Sequence, residues 1–290
     1  MNLHLLKIFV QAAQTQSFTK AADALEITQP AVSKGVRELE SQLDTVLFDR
    51  RAKQVKLTEA GELLFQYGQS LLAIEKEAEE ALYSFNDLKR GSLTIGASTT
   101  VASYWLPPLI SAFRSKYPGI DIRLSGANTE QISRRLLACE IDVAVVEGEV
   151  KDPRLESRPW REEEMVAIGA PQVVAQSWED EIQSWTWVLR EMGSGSRAVS
   201  ERLLSNMGIR TPQFIEVNSN EAIVQMVANG VGLGIVPRIC ARDQIALGRV
   251  QRISLPIGQM KRTLYRLRLP LRPVSAAALA FEGMLGTQTA

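Results

Sequence analysis

The stretch Ala21-Ala22-Asp23-Ala24-Leu25-Glu26-Ile27-Thr28-Gln29-Pro30-Ala31-Val32-Ser33-Lys34-Gly35-Val36-Arg37-Glu38-Leu39-Glu40 decides the reading of this chain. It divides into two short helices joined by a tight turn. Ala21, Ala22 and Leu25 form the inward face of the first helix, and the two alanines let a neighbouring helix come close. Thr28 is suited to cap the second helix, and Pro30 fits its first turn, where a missing N–H costs nothing. Val32, Val36, Leu39 and Leu43 follow at spacings of 4, 3 and 4, which makes an apolar seam. Gln29, Ser33, Lys34 and Arg37 fall off that seam and face outward. A second helix with one apolar seam and one short polar and basic face is the build of a helix-turn-helix, whose second helix lies in the DNA major groove.

On the N-terminal side, Leu6, Phe9, Val10 and Ala13 mark one face of a further helix. On the C-terminal side, Val46-Leu47-Phe48 and Gln54-Val55-Lys56-Leu57 read as short strands around Arg50, Arg51 and Lys53. Such a basic hairpin beside a helix-turn-helix is a wing, suited to phosphates or the minor groove. Thr58 then caps a long helix with Glu59 and Glu62 in its first turns, where negative charge suits the helix dipole. Leu64, Tyr67, Leu71, Ile74, Ala78, Ala81, Phe85 and Leu88 alternate at 3 and 4 residues along it. That is a heptad pattern, and it predicts a coiled-coil dimerisation helix. The helix is expected to stop at Lys89-Arg90-Gly91.

Beyond Gly91, strand-like and helix-like segments alternate, which predicts an α/β architecture with mostly parallel sheets. About 200 residues of this texture suit two small subdomains with a cleft between them. The expected domains are 1–57, a winged helix-turn-helix; 58–90, the linker helix; and 91–290, an α/β domain. Within the last, one subdomain takes about 91–161 and 267–290, and the other about 162–266.

Strand-to-helix turns are the usual ligand crevice of such a sheet. Ser98, Thr99 and Thr100 form one, Asn128 and Thr129 a second, and Asn218 and Ser219 a third. Gly195 and Ser196, inside Gly193-Ser194-Gly195-Ser196, open a helix with a glycine-rich turn. Hydroxyls and open amides there suit an anion, although Ser, Thr and Asn also simply cap helices. Glu147, at a strand end, would repel a bare dianion unless it is protonated or paired. It could instead recognise an amine or bond an arginine.

The chain has 290 residues and no net charge, but the charge is unevenly placed. Residues 1–57 carry 8 basic and 6 acidic side chains, and residues 58–90 carry 3 and 7. A small basic footprint is enough for a DNA reader that works as an oligomer. The only histidine is His4, and Cys139 and Cys240 stand 101 positions apart, so neither a zinc centre nor a histidine-based triad is expected. Both thiols are read as structural. No bilayer-spanning run and no secretory signal are visible, which points to the cytoplasm.

These features resemble the LysR-type transcriptional regulators. The resemblance rests on Phe18-Thr19-Lys20-Ala21-Ala22, Thr28-Gln29-Pro30-Ala31-Val32-Ser33, Leu39-Glu40, Leu47-Phe48-Asp49-Arg50 and Leu57-Thr58-Glu59-Ala60-Gly61. Toward the C-terminus it rests on Leu106-Pro107, Tyr117-Pro118, Asp142 within a strand, Gly193-Ser194-Gly195-Ser196-Arg197 and Gly230-Val231-Gly232-Leu233-Gly234-Ile235-Val236-Pro237. It implies a winged helix-turn-helix, a linker helix and a periplasmic-binding-protein-like effector domain of type 2, with two α/β subdomains. It makes Gln29, Pro30, Ala31, Ser33, Lys34 and Arg37 the DNA contacts of the reading helix and Arg50 the wing arginine. It further implies promoter DNA, a small-molecule effector and RNA polymerase as partners, homodimers paired into a homotetramer, no cofactor and no catalytic activity. A narrower likeness to sulfur-assimilation regulators, carried by Ala97-Ser98-Thr99-Thr100, Asn128-Thr129 and Val146-Glu147-Gly148, implies an anionic effector, a small oxyanion or sulfur metabolite. The alternatives are a constitutive DNA-binding regulator without a ligand, or a solute-binding or enzyme module carrying a DNA-binding head.

Overall fold

A computed structural model describes residues 2–49, 55–84, 90–175, 185–209, 213–255, 260–270, 272 and 274–286. The chain forms two compact units, Met1–Leu82 and Tyr83–Ala290.

The first unit is helical. It contains α1 (Leu3–Thr15), α2 (Phe18–Ala24), α3 (Gln29–Leu43) and α4 (Glu59–Ser84). Side chains one residue ahead of three helices define their starts. Asn2, Ser17 and Thr28 accept from the amides of His4, Lys20 and Ala31, which satisfies donors that a helix start leaves open. The Thr58 hydroxyl does the same for the Gly61 amide of α4. Leu6, Phe9, Ala21, Ala22, Val32, Val36 and Leu39 are buried in one core, with Phe48 edge-on to Phe9. Leu43, read as the end of the α3 seam, stays exposed because α3 closes there on Asp44 in the left-handed conformation.

The two wing strands reduce, among the described residues, to one antiparallel bridge, Phe48 to Leu57. A backbone bond from the Asp49 amide to the Lys56 carbonyl supports it. The buried Glu40 carboxylate fixes the approach to this bridge by accepting from the Leu47 and Phe48 amides. Gly61 fits beneath it: a Cβ there would lie 2.1 Å from the Leu47 carbonyl oxygen and 3.0 Å from Leu57. Gly61→Ala is therefore expected to destabilise this unit by about 1–3 kcal/mol, the usual scale of overpacking. Faster hydrogen exchange at the α1 and α3 amides would register the loss; unchanged protection would contradict it.

The second unit is a mixed α/β structure. In chain order it contains β1 (Gly91–Ser98), a π-helical turn (Val101–Trp105), α5 (Leu106–Lys116), β2 (Ile120–Ala127), α6 (Thr129–Leu137), β3 (Val143–Glu147), β4 (Glu156–Gly169) and α7 (Pro171–Val174). Then follow β5 (Trp187–Arg190), α8 (Gly195–Asn206), β6 (Phe214–Val217), α9 (Asn220–Ala228), β7 (Leu233–Pro237), α10 (Arg238–Ala246), β8 (Gln251–Ile253), β9 (Lys261–Arg268) and α11 (Ala276–Gly286). The strands run in the order β2-β1-β3-β9-β4-β7-β5-β6, with β8 also on β4.

The expectation of mostly parallel sheets needs correction. β1 pairs in parallel with β2 and β3, and β5 with β6 and β7. The centre is antiparallel: β9 lies against β3 and β4, and β4 against β7 and β8. The long β4 causes this. Its residues 156–164 pair with β9, and its residues 165–169 pair with β7, so it runs from one lobe into the other. Asp142 precedes β3 rather than lying in it. It accepts from the Thr94 amide at 2.8 Å and pairs with Arg272. Separate apolar cores sit beneath the lobes, one around Phe113 and Phe281, the other around Trp187 and Leu233.

Candidate DNA-reading face and effector site

On α3 the side chains of Gln29, Pro30, Ala31, Lys34 and Arg37 are exposed, and Ser33 is half-buried between them. Gln29 Nε2 donates to Ser33 Oγ at 2.9 Å, and Arg37 Nε donates to the Ser33 carbonyl at 3.2 Å. The polar face is thus laid along the helix, with Lys34 projecting beside it. Arg50, Arg51 and Lys53 lie outside the described residues.

The heptad of α4 splits between two jobs. Leu64, assigned to the dimer seam, is half-buried against the core of the first unit together with Phe65 and Leu72. Gly68 makes that approach possible, since a Cβ there would stand 2.7 Å from Val10. Tyr67, Leu71 and Ile74 are exposed, and so is Leu63, which the heptad reading omitted. Ala78 is exposed too. The Ala81 side chain, Phe85 and Leu88 lie outside what is described.

In the second unit the turns following β1, β2, β3, β5 and β6 meet. Ser98 and Thr100 are buried and Thr99 half-buried. Asn220, fully buried, donates to the hydroxyls of Thr100 at 2.8 Å and Ser196 at 3.1 Å. Ser196 donates through both its amide and its hydroxyl to Glu147 Oε2, at 3.1 and 2.7 Å. Thr129 donates to the Glu147 carbonyl, and the Glu130 amide to the Gly193 carbonyl. Arg262 of β9 reaches the same group, 3.0 Å from Glu147 Oε2 and 2.6 Å from both Ser196 Oγ and Glu163 Oε2. Trp105 donates to the other oxygen of Glu163 at 2.8 Å. Ser98 Oγ, Asn220 Oδ1 and the second carboxylate oxygen of Glu147, Oε1, are buried without a hydrogen-bond partner among the described residues. Among those residues no group of side chains is placed to hold a metal, and no helix is long and apolar enough to cross a membrane.

Residues 86–290 match the model of the LysR substrate binding domain, and residues 3–62 match that of the bacterial regulatory helix-turn-helix protein, lysR family. The chain belongs to the LysR family of transcriptional regulators. It is 31% identical to the HTH-type transcriptional regulator CysL of Bacillus subtilis over 93% of this chain and 92% of that one. It is 35% identical to the probable RuBisCO transcriptional regulator of Cyanidioschyzon merolae over 96% and 95%. A full-length OxyR structure from Pseudomonas aeruginosa superposes with a TM-score of 0.74 at 23% identity, covering 99% of this chain and 94% of the other, which shows the shared fold. The protein is therefore a transcriptional regulator with an effector-binding domain.

Within this LysR-family effector domain the turns expected to seat a ligand do not all stand open. Asn128 caps α6 by accepting from the Gln131 amide, and Ser219 caps α9 through the Ala222 amide. Asn218 is exposed, outside the buried cluster. The start of α8, expected to capture an oxyanion, already holds one: the Glu147 carboxylate accepts from Ser196 there. Gly195 permits the approach, because a Cβ at that position would fall 2.0 Å from the Glu147 carbonyl oxygen. Burial works to raise the Glu147 pKa, but Arg262, Ser196 and Arg190 outweigh it and hold the carboxyl below its ordinary range. Glu147 is thus an ionised, arginine-bonded carboxylate. Burial pushes the Cys240 thiol well up, which keeps it protonated.

The residues that knit the site together are mostly ones the sequence did not point to: Asn220, Glu163, Trp105, Arg262 and Arg190. Arg190 ends the apolar run Trp187-Val188-Leu189, and a cation closing a buried strand is a usable signal of a buried ion pair. Arg262 gives no such hint, because Lys261-Arg262-Thr263 looks like a solvated charge run.

Proposed function

We propose that this regulator reads promoter DNA with Gln29, Pro30, Ala31, Ser33, Lys34 and Arg37 of α3, helped by the basic wing. A small anionic effector, of the oxyanion or sulfur-metabolite class, then sets the relation between the two α/β lobes. The exposed Tyr67, Leu71 and Ile74 of α4 pair two chains, and two pairs assemble on one promoter, where they meet RNA polymerase in the cytoplasm. One observation carries the effector reading. Turns from both lobes converge on a single buried polar cluster, and the Ser98 hydroxyl, at the start of one of those turns, is buried without a partner among the described residues. A buried polar group without a partner costs free energy that a ligand can recover. A ligand held by both lobes acts through its different affinity for their arrangements.

Ser98→Ala tests this cleanly, since the hydroxyl it removes has no hydrogen-bond partner among the described residues. Thermal unfolding against sulfate, sulfite, thiosulfate and small carboxylates is expected to show a rise in Tm with one class. The rise should shrink in Ser98→Ala, while the unliganded Tm stays the same or increases. A panel without any shift, or a shift indifferent to this substitution, would overturn the reading.

A further inference from the structure

Arg190 is the cation at this site that neither Glu147 nor Glu163 engages directly. Its side chain is 2% exposed. One guanidinium edge makes a two-point contact with the neighbouring Glu191, Nε to Oε2 at 2.8 Å and Nη2 to Oε1 at 2.9 Å. Its remaining nitrogen, Nη1, crosses to the other lobe and donates to Thr99 Oγ1 at 3.2 Å. Thr99 belongs to the turn that contains the unpartnered Ser98 hydroxyl. Arg197 holds the backbone here, donating to the Arg190 carbonyl at 2.7 Å. The arginine is built in on every side but one, and on that side stands a carboxylate that is itself 23% exposed.

An ion pair between adjacent residues closes no long loop and brings no distant segments together. It does leave the most directional anion receptor of the site occupied by an oxygen pair from the protein itself. A fork of two parallel N–H groups matches any ligand group with two oxygens at carboxylate spacing. We propose that Glu191 stands in for the effector's acid group: it fills the fork of Arg190 while the site is empty, and the effector's carboxylate or oxyanion displaces it. The displaced Glu191 turns to solvent, and the anion then bridges Arg190 to the residue 98–100 turn. Arg190 becomes the residue that selects an acid, and Glu191 the residue that sets how strongly an acid must compete. This rests on the anionic-effector reading above and adds the means of recognition to it.

Glu191→Gln removes the competing charge but keeps a side chain of the same shape. Sodium sulfate and sodium acetate, one tetrahedral and one planar, are titrated calorimetrically at constant ionic strength into the full-length protein, its Glu191→Gln variant, and the double variant Arg190→Met/Glu191→Gln. Glu191→Gln is expected to bind at least one of the two roughly tenfold more tightly than the parent, the scale of one charge-assisted contact. The double variant should lose that gain, and whichever anion gains identifies the effector's acid as planar or tetrahedral. If the parent binds an anion, Ser98→Ala weakens it and Glu191→Gln leaves it unchanged, the stand-in role is overturned and the anionic-effector reading survives. Failure of both anions to bind Glu191→Gln, in protein whose circular dichroism matches the parent, overturns the stand-in role, and the anionic-effector reading falls with it when the wider thermal panel also gives no shift.

Discussion

Arg262→Met is expected to destabilise the C-terminal unit by about 3–5 kcal/mol, the cost of stranding buried charge. The guanidinium is fully enclosed between Glu147 and Glu163, which are themselves almost completely buried. Methionine fills a similar space but leaves two carboxylates facing each other without a cation. The strand positions magnify the effect. Arg262 lies on β9 and Glu163 on β4, the strands that join the lobes; Glu147 closes β3 in one lobe, and Ser196 opens α8 in the other. Urea unfolding followed by the fluorescence of the five tryptophans of this unit, Trp105, Trp160, Trp178, Trp185 and Trp187, measures the loss. The triple variant Arg262→Met/Glu147→Gln/Glu163→Gln should recover much of it, since uncharged polar groups carry a smaller burial cost. A single variant as stable as the parent would show that the ion triad holds nothing together.

The pH dependence separates charge from packing. In the parent, the Glu147 pKa lies below its unfolded value. The stability it contributes is fully present above the ordinary carboxylate value of about 4.3 and is lost as pH falls through the depressed one. Without Arg262 the largest influence opposing burial is gone, leaving Ser196 and Arg190 against it, and the Glu147 pKa rises. The variant should therefore gain stability as pH drops from neutrality toward about 5, while the parent does not.

How much of this was legible beforehand follows from the range of the interactions. The helices of the first unit are written locally: the 4 and 3 spacing of Val32, Val36 and Leu39 and the cap residues Ser17, Thr28 and Thr58 each need only neighbours within a turn or two. The packing of Leu64 within its own unit was not legible because a heptad records which residues are apolar, not which partner covers them; Gly68, which draws α4 onto α1, looks in sequence like a weak point of the helix. In the second unit the parallel strands and their turns were readable, but β9 was not, since its alternating Arg262, Leu264 and Arg266 mix buried charge with apolar positions. Glu147 was flagged for the right chemical reason, as a carboxylate needing a partner. The partner lies 115 positions away, read from the numbering of Glu147 and Arg262, and no local pattern specifies such a pairing.

The proposed function depends first on α3 gripping duplex DNA through its exposed polar face. Lys34 and Arg37 project from that face with no structural duty in the core, so changing both to alanine should leave the first unit folded. Arg37 has the reach for a two-point contact with a guanine edge, worth about 1–3 kcal/mol, and Lys34 suits a phosphate. Together their loss is expected to weaken binding roughly a hundredfold and to reduce the slope of log affinity against log salt by about one. The deciding measurement is fluorescence anisotropy of the full-length parent and the Lys34→Ala/Arg37→Ala variant on a DNA site selected by the parent from a random library, across a series of salt concentrations. The expected result is the hundredfold loss with the shallower slope. Equal affinity and equal slope for the two proteins would contradict it.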